Sequence, residues 1–300
     1  MTAAGRLCIV IQLHARSAHC SLSPEHGGRV ASLAVHGVQL LVQPPDEADD
    51  DADDTGHADD RDPMAWGCYP MAPWAGRIRN GTFTFDGVTN QLPVNLAPHA
   101  IHGTVFTRVW HVDSIDGNAV TLSCELGLHW PFGGSAKQRI ELHDDHLSCE
   151  LSVTAADHDM PAQVGWHSWF VKPQSAQLHF GEMYVRDAHG IPTGEVASPS
   201  DQPWDDCFTN PLAPIELRYE TPDHDSLLIT VDSDCDHWVI YDQPAHATCV
   251  EPQSGPPDGF NIAKLVKSPR SAGSSPIRAG QTLRRKMTIH WDITAAQTPC

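Results

Sequence analysis

No stretch of this 300-residue chain approaches the roughly 20 consecutive apolar residues that a bilayer span requires. The N-terminal run from Leu7 to Leu13 is too short for one, and no small-residue cleavage signature accompanies it. A soluble, unprocessed, cytoplasmic protein is the expectation. Close cysteine pairs are missing too. The nine cysteines are odd in number and scattered, with no pair resembling a zinc or redox motif, which fits a reducing compartment. Cations are scarce: 19 Lys and Arg stand against 38 Asp and Glu, and a formal charge of -19 repels nucleic acid and anionic membranes. Much of that charge is local. Between Asp46 and Asp62, ten acidic residues accompany the single basic Arg61, and a block this polar cannot bury enough surface to offset its ordering entropy. A mobile acidic loop over 46–62, peripheral to any cleft, is predicted. A calcium loop is disfavoured there because the central Gly and terminal Glu of an EF-hand are absent.

Helical periodicity is equally rare, and short apolar or alternating runs take its place. They cover Leu7 to Leu13, Arg29 to Val42, Val120 to Leu126, Arg139 to Thr154, Leu227 to Val231 and Lys286 to Trp291. Asp86-Gly87 and Asp116-Gly117-Asn118 supply turn chemistry between such runs, so antiparallel hairpins follow. From Gln138 to Val153, apolar residues alternate with polar ones around Asp144-Asp145, as expected of a sheet with one buried and one wet face. With 24 prolines and 22 glycines as punctuation and 40% hydrophobic content, the chain reads as all-β: one sandwich domain over residues 1–300.

Two regions break the strand rhythm with ionisable residues. Met64 to Gly103 holds Arg77, His99 and His102 among Pro and Gly, and Glu251 begins the segment EPQSGPPDGFN after the apolar run Ala247 to Val250. Taken singly, each residue also has a plain structural reading. His167 beside Trp166 and Trp169 could be a hydrogen-bonded core histidine, and Glu251 could accept backbone hydrogen bonds. Arg77 could form a structural ion pair, and His102 could cap a turn before Gly103. Metal binding by His99 and His102 is disfavoured, since their i,i+3 spacing falls outside a helix and no H-E-x-x-H pattern is present.

Taken in order, the segments resemble one family nearly end to end. They are GRVASL at Gly28 to Leu33, YPMAPWAGRIRNG at Tyr69 to Gly81, FTFDG, APHAIHG ending at Gly103 and GWHSWF at Gly165 to Phe170. IPTGE at Ile191 to Glu195, WDDCF at Trp204 to Phe208 and VEPQSGPPDGFN at Val250 to Asn261 complete the series. This series resembles the aldose 1-epimerases, or galactose mutarotases. The resemblance implies a galactose-mutarotase-like β-sandwich (supersandwich) and a cofactor-independent, metal-free isomerase acting on a small sugar. It implies Glu251 as general base, His167 as general acid, and Arg77, His102 and Asp205 as sugar contacts, with Asp206 the neighbouring candidate in WDDCF. Gly76 departs from the pattern, because many members place Asn just before the Arg. Trp74, Trp166 and Trp169 are candidates to pack on the sugar. The rival readings are a hexose-6-phosphate 1-epimerase on the same fold, a non-catalytic carbohydrate-binding protein, and a glycoside hydrolase or lyase domain using Glu251 with Asp205.

Overall fold

A computed structural model of the chain describes residues 9–44, 62–262 and 276–294. Of the acidic segment predicted as a mobile loop, only Asp62 is among them; the rest lies outside the described residues. The expectation of an all-β architecture holds. One sheet has eleven strands, running in space Ile11–His14, Ala18–Ser23, Arg29–Val35, Cys68–Met71, Gly165–Val171, Ala247–Gln253, His237–Tyr241, Asp205–Pro211, Phe180–Arg186 and Pro192–Ala197, with Val38–Gln39 paired onto Arg29–Val35. The other has eight: His111–Asp116, Ala119–Glu125, Ser135–Leu142, His146–Thr154, Thr282–Thr294, Ser226–Ser233, Ile215–Glu220 and Ser175–Gln177. Among the described residues the α-helix is a single turn, Gly259–Ile262, and no helix is long and apolar enough to cross a membrane.

The predicted hairpins form where turn chemistry permits them. Asp86 and Gly87 both take positive φ, 48° and 76°, as a two-residue hairpin turn requires, and they join Thr82–Phe85 to Val88–Gln91. The run from Arg29 to Val42 is not one strand. His36 and Gly37 also take positive φ, and the chain doubles back so that Val38 pairs with Val35. The prediction missed this turn because valines and leucines on both sides keep the run apolar.

Inner faces of both sheets feed one apolar cluster, which is the core of the sandwich. In the smaller sheet the partition is simple: Leu147, Cys149, Leu151 and Val153 point inward, and polar residues alternate with them. The middle of the larger sheet is buried on both faces. Along Gly165–Val171, Trp166 and Phe170 join the core while His167 and Trp169 face the opposite side, yet all are buried. Trp166 is held by its indole, which donates to Gln138 Oε1 at 3.2 Å; Gln138 in turn donates from Nε2 to the Gly28 carbonyl at 2.8 Å. A polar side chain between two sheets is thereby satisfied at both ends, which removes its desolvation penalty.

Candidate active site

The outer face of the larger sheet carries the site. Antiparallel register sets Tyr69 beside His167 and Val239 beside Glu251, and with Gly165 opposite Gln253 and Ser168 opposite Val250 it also sets His167 across from Glu251. Strand alternation then turns His167 and Glu251 to the same side. The sequence places Glu251 at a strand end; in the fold its strand continues through Gln253.

Arg77 and His102 reach the same spot by a different device. Arg77–Ile78 pairs with Ala100–Ile101 in a two-stranded ribbon above the sheet, and the His102 N–H donates to the Gly76 carbonyl at 3.1 Å. Gly76 itself has φ 66°, and a Cβ there would lie 2.7 Å from Pro257 Cγ. An asparagine would need both the left-handed backbone and space that Pro257 already fills. This gives the departure from the family pattern at Gly76 a physical cause.

All five residues singled out from the sequence, Arg77, His102, His167, Asp205 and Glu251, line one cavity of about 350 Å³. Asp206 is not among its lining residues; its carboxylate is held by Arg186 Nε at 2.7 Å. A second cavity of about the same volume, beside Arg79 and Asn261, contains none of the five. Of the three tryptophans, Trp169 lines the site, whereas Trp74 and Trp166 belong to the core, the commoner role of a tryptophan, which leaves Trp169 as the candidate to pack on a ligand. His99 also points elsewhere and accepts from the Asn80 N–H at 3.1 Å. The acidic segment is not wholly peripheral, since its last residue, Asp62, lines the cavity.

Glu251 Oε1 lies 3.2 Å from His167 Nε2, with the two residues only 2% and 6% exposed. Burial governs both groups. It pushes the Glu251 carboxyl well above the usual range, reinforced by the charge of Asp205, and it pulls His167 down to about 3, aided by Arg29 and Arg77. Both shifts favour the uncharged form of each group, carboxyl and imidazole, across the contact. His102, 5.0 Å from His167 ring to ring, is likewise held neutral, by burial first and then by His167 and Arg77. Arg77 Nη2 stands 3.6 Å from Asp205 Oδ2, and Arg186 Nη1 approaches the same oxygen at 3.4 Å. Burial nonetheless leaves Asp205 raised.

Tyr69 and Gln253, neither singled out from the sequence, complete the geometry together with Trp169. Tyr69 stacks on His167 with ring centres 4.8 Å apart, and the Trp169 ring lies nearly parallel to the imidazole at 5.4 Å. Gln253 Nε2 donates to Glu251 Oε2 at 3.1 Å, leaving Oε1 for His167. Gln253 was findable, because the period of two that turns Glu251 outward turns its i+2 neighbour the same way. Gln243 also lines the cavity, and no pattern in the sequence marks it.

Comparison with known proteins gives a consistent result. The family model described as aldose 1-epimerase matches residues 10–261. The uncharacterized protein YihR of Escherichia coli K12 is 28% identical over 182 residues, a match spanning 56% of this chain and 54% of that protein. A galactose mutarotase-like protein from Clostridium acetobutylicum shares the fold with a TM-score of 0.77 at 20% identity, covering 95% of each chain. Galactose 1-epimerase from Lactobacillus acidophilus does so with a TM-score of 0.73 at 14% identity, over 98% of this chain and 97% of that one.

Proposed function

The chain belongs to the aldose 1-epimerase family, and from the Glu251–His167 contact in its cavity we propose that it interconverts the α and β anomers of a free aldose. The observation that carries this reading is the approach of the buried Glu251 carboxyl and His167 imidazole to 3.2 Å, in a cavity also lined by Arg77, His102 and Asp205.

Anomers exchange only when the ring opens. That step needs a base at the anomeric hydroxyl and an acid at the ring oxygen, acting on the same molecule. Moving the carboxyl proton from Glu251 to His167 creates this arrangement. The carboxylate then takes the proton of the C1 hydroxyl, the imidazolium protonates the ring oxygen, the C1 to ring-oxygen bond breaks, and an aldehyde forms. The pair returns to carboxyl and neutral imidazole, the forms that burial favours. Rotation about C1 to C2 presents the other aldehyde face, and the same transfers in reverse close the ring to the opposite anomer. Protons and electrons balance within the pair and the sugar, so the reaction as written calls on no cofactor. Arg77 offers a planar fork of donors to ring hydroxyls, and Asp205 is an acceptor facing it.

Charge and size favour a free monosaccharide. A cavity of about 350 Å³ is at the small end of ligand sites, which run from about 300 to 1,000 Å³. One arginine lines it against Asp62 and Asp205, a poor setting for a phosphate dianion. Nearby Arg186 is already engaged with Asp205 and Asp206. The test is the rate of anomer exchange on freshly dissolved α-galactose and α-glucose, with sugar phosphates run in parallel. Acceleration of the free sugars supports the reading. Acceleration of the phosphates alone moves the substrate to the phosphorylated class, and none with either leaves a sugar-binding protein.

A further inference from the structure

Cys249 has no part in the proton transfers above, yet it lies two residues before Glu251 on the same strand and the same face. Its register partners are Trp169 and Tyr241, which both line the cavity, so the thiol sits directly beneath the floor. One ligand atom from each of His167, Cys249 and Glu251 falls within 4.8 Å of the others, and all three residues are buried. This combination differs from a surface cluster of carboxylates. It joins a nitrogen, a sulfur and an oxygen donor on two adjacent strands, next to an open cavity.

The set matches the donor preferences of a thiophilic divalent ion. Zinc holds sulfur at about 2.3 Å and nitrogen or oxygen at about 2.0–2.2 Å, so two ligands on one tetrahedral zinc stand roughly 3.2–3.7 Å apart. The 3.2 Å between His167 and Glu251 already has this spacing. With the ligand atoms within 4.8 Å of one another, the sulfur would close by up to about 1.3 Å, and three protein ligands would leave a fourth position on the ion. Charge also closes: a thiolate and a carboxylate cancel the 2+ of the ion, which a buried site requires. On loading, the thiol and carboxyl protons leave to solvent, and no electrons move.

We propose that His167, Cys249 and Glu251 form a binding site for a thiophilic divalent cation, Zn²⁺ above all, which occupies the Glu251–His167 pair and reversibly shuts off sugar turnover. The shut-off rests on the epimerase reading; the binding site rests on the donor geometry alone.

The two are tested separately on the full chain. Co²⁺ added to the wild type should give a thiolate-to-metal absorption band in the near ultraviolet, and excess galactose should suppress it. Cys249→Ser and Cys249→Ala should both lack the band, the second variant covering a folding failure of the first. In the exchange assay, Zn²⁺ should inhibit in competition with sugar and EDTA should restore the rate. The Cys249 variants should keep their turnover but need about tenfold or more Zn²⁺, since losing even an outer-sphere partner costs 10–100-fold in affinity. No Co²⁺ band in the wild type, or equal Zn²⁺ sensitivity in the variants, overturns the proposal. If no sugar is turned over at all, the epimerase reading fails while the Co²⁺ band still decides the metal site.

Discussion

Glu251→Gln isolates the proton transfer from the packing. The amide keeps the size of the carboxyl, and its N–H still donates to His167 Nε2 across the 3.2 Å contact. Neither buried partner is stranded, so folding stability should change by no more than about 1–2 kcal/mol. The chemistry is another matter, since an amide cannot accept the anomeric proton. Positioned acid or base catalysis contributes about 100-fold to 10,000-fold, so kcat should fall by that factor, equivalent to about 2.7–5.4 kcal/mol at 1.36 kcal/mol per decade. His167→Gln should cost a similar amount. The diagnostic variant is the double one. If one proton cycles between the two residues, removing the second after the first removes little more, and the double mutant should be slower than the worse single mutant by less than about tenfold. Independent action predicts the product, about 10,000-fold or more. Proton exchange spectroscopy between the H1 resonances of the two anomers reads these rates at equilibrium, with circular dichroism matching the folded concentrations. A multiplicative loss, or Glu251→Gln within tenfold of wild type, refutes the reasoning.

The same pair makes stability depend on pH in opposite senses. Because burial raises Glu251, its contribution to stability is full below the ordinary value of 4.5 and drains as pH climbs toward the raised value, so the Tm of Glu251→Gln should gain on wild type above about pH 4.5. With His167 lowered to about 3, stability is instead lost as pH falls from 6.5 toward 3, and His167→Gln should flatten that loss; Tm curves that run parallel across pH would contradict both. Gln253→Ala removes the donor to Glu251 Oε2 and should cost about 1–2 kcal/mol in kcat with KM nearly unchanged, moving the pH profile of kcat; an unmoved profile would reduce Gln253 to a packing role. Gly76→Asn should destabilise by about 1–3 kcal/mol in chemical denaturation, given the left-handed φ and the overlap with Pro257, and an unchanged midpoint would show that the loop yields.

The fold was legible where one face of a strand is wet. Gln138 to Val153 alternates because its outer residues meet water, and the turn at Asp144-Asp145 falls where polarity peaks. It was least legible where both faces are covered. GWHSWF has no period because Trp166 and Phe170 face the core while His167 and Trp169 face the cavity, and only the ordered resemblance of segments pointed to it. The convergence of Arg77, His102, His167, Asp205 and Glu251 on one cavity depends on pairings between strands far apart in sequence, for which spacing along the chain carries no signal. Gln253 could be found once Glu251 was assigned to a strand. Gln243, outside any strand, could not.

The doubly buried middle strands also constrain how this protein can change. On Gly165–Val171 and Ala247–Gln253, alternate residues are committed to opposite layers: Trp166, Phe170 and Val250 hold the two sheets together, while His167, Trp169, Glu251 and Gln253 line the cavity. Cavity lining and sheet packing are thus encoded in interleaved codons of the same short segments. A mutational walk that reshapes the cavity has free steps only at every second position, and a one-residue insertion in either strand would exchange the two roles at once.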